Sequence, residues 1–179
     1  VKHNPEFTML EFYMVHYTYE YAMSLVEDLI RIVVKKTTGS LNCQYGDYTI
    51  NFEKEFKRLS PKEAVCEYTQ IAACNLDERN IDSTIKNHNI DIDPSLSHNQ
   101  KIFILFEELV EKKIKDPVFI VDFPIEISPL AKRDPNNPNI AARFELFIAG
   151  MEISNGFNEL NDPFDQKERL MDQVKAKED

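Results

Sequence analysis

The stretch GMEISNGFNELNDPFDQ, residues 150–166, continues the apolar run FELFIAG, residues 144–150, and the two read together as a hairpin. If Ala149 and Gly150 are the two central turn residues, Ile148 faces Met151, Phe147 faces Glu152 and Glu145 faces Ser154. Glu145 and Glu152 then become diagonal neighbours on one face. Beyond them, Asn155, Phe157 and Glu159 stand two apart and share a face of an extended segment. Strict alternation puts that face opposite Glu152. Both sets line one cleft only if the strand slips by one residue, and Gly156 makes a bulge between Ser154 and Gly156 the expected place. The stretch thus sets carboxylates and an amide among apolar and small residues. A carboxylate buried without a partner costs several kcal/mol, so the reading predicts that cations arrive from outside to hold them.

Two carboxylates within reach of one hard cation suit Mg²⁺, which takes a few carboxylates and completes its shell with phosphate oxygens. The same spacing equally fits two solvated carboxylates on an exposed sheet face. Near the N-terminus, EFTMLEFYMV (residues 6–15) alternates and predicts an early strand, with Phe7, Met9, Glu11 and Tyr13 on one face. An aromatic surface there can stack on a base, and Glu with Tyr can grip an ammonium. An ordinary amphipathic strand has the same pattern.

Between these ends the signals are helical. Residues 19–36 place Ala22, Leu25, Val26, Leu29 and Val33 at helical spacing, with Gly39 as a stop. DYTINFE (47–53) reads as a short strand. Ser60, Pro61 and Glu63 form a capping box that opens a second helix. A third spans roughly 76–88. The fourth opens at Ser97 with Gln100 and ends before Pro117. PVFIVDFP (117–124) is a short buried strand, residues 128–139 a proline- and asparagine-rich loop, and Asp162 with Pro163 starts the last helix. The order strand, helical block, strands predicts an α+β fold with an antiparallel sheet.

With 179 residues, 42% of them hydrophobic, the chain has material for one domain with a core, and its longest apolar runs fall short of a membrane span. The expectation is a soluble, cytoplasmic protein. A net charge of −10 with scattered Lys and Arg makes the chain a poor stand-alone nucleic-acid binder, so any RNA contact must be local or supplied by other parts of the protein. The three cysteines, Cys43, Cys66 and Cys74, have neither disulfide nor zinc spacing and are expected to be reduced core thiols. His16, His88 and His98 lack ligand spacing.

HNPEFTMLEFY (3–13) resembles the second half of motif 2 of class II aminoacyl-tRNA synthetases, in the form of the lysyl-tRNA synthetases. GMEISNGFNELNDPFDQKER, with FPIEISPLAKRDPNNPNIAARFELF before it, is similar to the segment just upstream of motif 3. The resemblance is close over 1–30 and 117–175 and looser between. It implies a partial catalytic domain: the motif 2 strand and following helix over 1–40, a mainly helical insertion over 41–116, and sheet strands with the start of the final helix over 117–179. It also implies ATP-dependent activation of lysine and transfer to tRNA(Lys), in a homodimeric parent with Mg²⁺ as cofactor. By resemblance, His3, Asn4 and Phe7 bind ATP, Glu11 takes the α-ammonium of lysine, and Tyr13 and Glu159 hold its ε-ammonium. Asn155 and Phe157 line the amino-acid pocket, and Glu145 and Glu152 are Mg²⁺ ligands. The resemblance places motif 1, the motif 2 arginine, motif 3 and the anticodon-binding barrel outside these residues, so this polypeptide alone is expected to activate lysine poorly or not at all. Two rivals share much of the pattern: a paralogue that attaches a lysine-type amino acid to an elongation factor, and a non-catalytic interaction domain of synthetase shape.

Overall fold

The structure is a computed structural model that describes residues 4–178. Its centre is a four-stranded sheet in the order β3 (Lys57–Leu59), β4 (Val118–Pro124), β5 (Ile140–Ile148) and β6 (Met151–Phe157). The β4–β5 and β5–β6 pairs are antiparallel, and β3 joins as a parallel edge strand. A parallel pair needs a long crossover. Here the helices α2 (Pro61–Tyr68), α3 (Ile81–Asn87) and α4 (His98–Leu109) all lie in the connection from β3 to β4. The expected α+β fold is therefore present, with a mixed edge on the antiparallel sheet.

The sheet separates two cores. On one face Phe147, Phe123 and Ile120 pack with Leu105 and Phe106 of α4 and Ala64 and Val65 of α2. On the other, Phe119, Phe144, Leu146 and Ile148 meet Met23 and Val26 of α1 (Tyr19–Thr38). A small hairpin, β1 (Asn42–Tyr45) and β2 (Tyr48–Asn51), closes the edge of this second core through Ile50. Sequence reading found β2 alone. The Gly46-Asp47 pair between the strands, with Gly46 at φ 55, is the turn signal for the other half.

Both capping boxes form as expected, at Ser60/Glu63 and Ser97/Gln100. Gly39 ends α1 in the left-handed region, and Asp162 accepts from the backbone N–H groups of Phe164 and Asp165 at the start of α5 (Pro163–Glu178). Other expectations need correction. Residues 7–13 form no strand, and Phe7, Met9, Leu10 and Tyr13 are all exposed. Alternation gives a segment two faces but no partner for its N–H and C=O groups, and no described strand runs beside this one. The buried stripe of α1 is Met23, Val26 and Glu27, with Ala22, Ile30 and Val34 beside it, whereas Leu25 and Val33 are exposed. This helix is apolar on more than one side, so periodicity alone could not choose the face. The third helix is shorter than expected. A 3₁₀ turn (Ala73–Leu76) precedes it, and Thr84 Oγ1 ties it back to the Asn75 carbonyl at 2.8 Å. None of the cysteines is fully buried, and Cys74 is exposed. Among the described residues no helix is long and apolar enough to cross a membrane.

Gly156 sits opposite Phe144 in the β5–β6 ladder, and a Cβ placed there would lie 2.5 Å from the Phe144 ring. That ring is fully buried and cannot retreat. Gly156→Ala is therefore expected to destabilise the fold by about 1–3 kcal/mol through overpacking, read from the urea unfolding midpoint. An unchanged midpoint would show that the Phe144 side of the core yields.

Candidate functional site

The β5–β6 hairpin turns through Ala149 (φ 55) and Gly150 (φ 68), the pair of positive φ values a tight I′ turn demands. Pairing runs Ile148–Met151 and Phe147–Glu152 as the sequence predicts, then slips: Leu146 pairs Ser154, Glu145 pairs Asn155 and Arg143 pairs Phe157. The extra residue is Ile153, one position before the expected bulge, and Gly156 serves to clear Phe144 instead. The foreseen consequence follows only in part, because Glu159 lies beyond this ladder in an isolated bridge to Ala131. Directly paired residues share a face, so Glu145, Glu152, Asn155 and Phe157 all lie on the α4 side of the sheet.

A cleft of about 270 Å³ opens there, and its lining includes Glu107, Glu111, Arg143, Glu145, Phe147 and Glu152. Only Glu145 among the expected carboxylates is buried, at 7% exposure; Glu152, Asn155, Phe157 and Glu159 are exposed. The premise of several buried, unpaired carboxylates is thus corrected, because β6 is an edge strand and one side of its cleft is open. Glu145 has an internal cation, Arg143, which sequence reading missed. The signal was available: Arg143 and Glu145 are two apart on a strand and so share a face.

Arg143 is held from three directions. Nη2 donates to Glu145 Oε1. Nη1 donates to Ser128 Oγ at 3.1 Å and to the Ile127 carbonyl at 3.4 Å. The guanidinium lies over the Phe123 ring, 4.7 Å from its centroid. Burial pushes the Glu145 carboxyl up to about 7; Arg143 opposes the shift, while the charges of Glu152 and Glu107 add to it. Glu107 is itself raised, first by burial and then by Glu111 and Glu108. The cleft therefore carries more negative charge than Arg143 alone can balance, which suits a cationic occupant. Among the described residues no three His, Cys, Asp or Glu side chains group as a metal site. A cation held by Glu145 and Glu152 would take its remaining ligands from a substrate or water.

The other expected residues lie apart from this cleft. His3 is outside the described residues. Asn4 donates to the Glu6 carbonyl, and Phe7 stands free at 76% exposure. Tyr13 Oη donates to Glu11 Oε1 at 2.6 Å, and that hydrogen bond, with the charge of Glu11 and a smaller effect of Glu159, raises the phenol. Tyr13 thus lies within electrostatic reach of both Glu11 and Glu159. Asn158, unremarked in the sequence, joins the two ends: its Oδ1 accepts from the Tyr19 N–H at 2.8 Å, where α1 begins. The 128–139 loop is fastened to the same strands. Lys132 N donates to the Asn158 carbonyl, Leu160 N donates to the Leu130 carbonyl, and the buried Arg169 of α5 donates to the carbonyls of Ala131 and Ser128.

Comparison with known proteins agrees with this architecture. The family model described as tRNA synthetases class II (D, K and N) matches residues 1–179, and the chain belongs to that family. It is similar to proteins named lysine–tRNA ligase. The one from Blochmanniella pennsylvanica is 46% identical over 177 residues, 98% of this chain and 35% of that protein. Those from Edwardsiella ictaluri and Magnetococcus marinus are 45% and 43% identical over 179 residues, 99% of this chain and 35% and 36% of the relatives. The chain spans about a third of the length of these relatives.

The position of Glu145 sets a pH dependence. Its folded-state pKa of about 7 lies above its ordinary 4.5, so the folded chain binds more protons than the unfolded chain between those values, and stability falls as pH rises through that window. In metal-free buffer, Glu145→Gln should remove a loss of order a few kcal/mol between pH 4.5 and 7, seen by comparing urea midpoints of the two proteins across that range. Parallel profiles would mean that the carboxylate titrates normally.

Proposed function

We propose that this chain is part of the catalytic domain of a lysine–tRNA ligase, which activates lysine with ATP and passes it to tRNA(Lys). The observation that carries the reading is the ladder slip at Ile153. It gathers Glu145, Glu152, Asn155 and Phe157 on one face, the residues that motif resemblance sets against Mg²⁺ and the amino acid. The names of relatives at 42–46% identity support the same activity.

In this reading Phe7 stacks on adenine, with His3 and Asn4 beside the nucleotide. Glu11 accepts a charge-assisted hydrogen bond from the α-ammonium of lysine, while Tyr13 and Glu159 hold the ε-ammonium and Asn155 and Phe157 line the pocket. Mg²⁺ would be held by Glu145 and Glu152, and when bound it neutralises charge on the ATP phosphates. A lysine carboxylate oxygen forms a bond to the α-phosphorus as the bond to pyrophosphate breaks, giving lysyl-adenylate; a hydroxyl at the 3′ end of tRNA(Lys) then takes the aminoacyl group as the bond to AMP breaks and AMP leaves. The protein supplies position and electrostatics, with little proton transfer. Selectivity follows from charge. A neutral side chain would leave Glu159 without its ammonium partner, and an anionic one would be repelled. A cytoplasmic homodimer is part of the same reading.

The test uses the full-length protein that contains this segment. ATP–pyrophosphate exchange is expected to depend on lysine, and not on aspartate or asparagine. Glu159→Gln should lower kcat/KM for lysine roughly 10- to 100-fold, mostly through KM, as expected for loss of a hydrogen bond to a charged group. Exchange driven by another amino acid, or an unaffected Glu159→Gln protein, would overturn the assignment.

A further inference from the structure

We infer that Arg143 is a positioning residue: its immobilised guanidinium holds one oxygen of Glu145 so that the other is presented to the cation in the cleft. The inference rests on the functional reading above and adds a residue to it.

The geometry is asymmetric in a useful way. Arg143 reaches only Oε1 of Glu145; among the described residues no hydrogen bond reaches Oε2, and Glu145 lines the cleft beside Glu152. A carboxylate on a flexible side chain samples several rotamers, and fixing one oxygen removes most of that freedom before the cation binds. The clamp itself cannot swing. Phe123 from β4 covers one face of the guanidinium, Ser128 Oγ and the Ile127 carbonyl engage Nη1, and the backbone of β5 fixes the root. Nε is buried without a partner, so the side chain accepts an unsatisfied donor while directing both terminal nitrogens to their acceptors.

Ser128 extends the device. Its hydroxyl accepts from Arg143 and its carbonyl accepts from Arg169 at 3.4 Å, so the start of the 128–139 loop is gripped between two arginines. Arginine is required for this task because a planar fork can serve two acceptors at fixed angles, and a lysine ammonium cannot. Charge alone would not distinguish the two residues, which makes Arg143→Lys the informative change.

In the full-length protein, Arg143→Lys is expected to raise the free Mg²⁺ concentration for half-maximal lysine-dependent exchange about tenfold, the size of effect seen when a ligand loses its orienting partner, while KM for lysine stays within about twofold. Calorimetric titration of Mn²⁺ in the presence of a non-hydrolysable ATP analogue should weaken about tenfold as well. Lysine and metal constants shifting together would indicate general disruption and overturn the inference, as would unchanged metal constants in both measurements. If Arg143→Lys does not fold, Ser128→Ala decides: removing only the hydroxyl that braces Nη1 should raise the metal constants about threefold, and wild-type values would overturn the inference. Failure of wild-type protein to exchange with lysine would count against the functional reading instead, and the Mn²⁺ titration would still judge Arg143.

Discussion

One residue of slippage in an antiparallel ladder reverses the facing of every side chain beyond it, and the β5–β6 pair takes that slip at Ile153. Without it, Glu152 would face α4 while Asn155 and Phe157 pointed toward α1. With it, polar groups from both strands stand in register over the same cleft. The hairpin turn at Ala149 and Gly150 sets the first pairs, and the bulge resets the rest. Neither device costs the sheet its core, because Phe144, Leu146 and Ile148 keep their alternate face against α1.

The electrostatics of the cleft then follow from depth. Glu145 lies on an inner strand and is covered; Glu152 lies on the edge strand and is wet. A covered carboxylate needs a partner in the protein itself, which Arg143 supplies, and the exposed one does not. The surplus negative charge is consequently graded from the floor of the cleft to its mouth, with Glu107 and Glu111 reaching in from the helical side. In the proposed function, such a gradient would draw a cation inward to the pair Glu145 and Glu152.

Much of this was legible in the sequence where local chemistry decides the outcome. Ser60/Glu63 and Ser97/Gln100 capped helices because the cap is made of neighbouring residues. Ala149 and Gly150 turned the hairpin for the same reason. The need for a bulge was legible too, although its seat at Ile153 was not, since Gly156 offered a stronger signal and proved to answer a steric demand across the sheet. What stayed hidden depends on distant partners. The alternation of residues 7–13 could not say whether a strand would lie beside them, and the two apolar sides of α1 could not say which would face Met23's neighbours. Burial was overestimated for the same reason: side chains spaced for a core on β6 are exposed when their strand is an edge. Four of the residues that the family resemblance named, Glu145, Glu152, Asn155 and Phe157, share one face of the sheet, but composition alone gave no hint of Arg143.

Phe144 and Gly156 form a pair across the ladder in which an aromatic ring fills the space that any side chain at the glycine would need. Over evolutionary time Gly156 cannot change before Phe144 does. A lineage that trims the ring to a smaller residue opens room for a side chain at the other site, whereas the reverse order passes through a poorly folded ancestor. Covariation between these two positions, with the ring changing first, is the historical trace such an arrangement should leave.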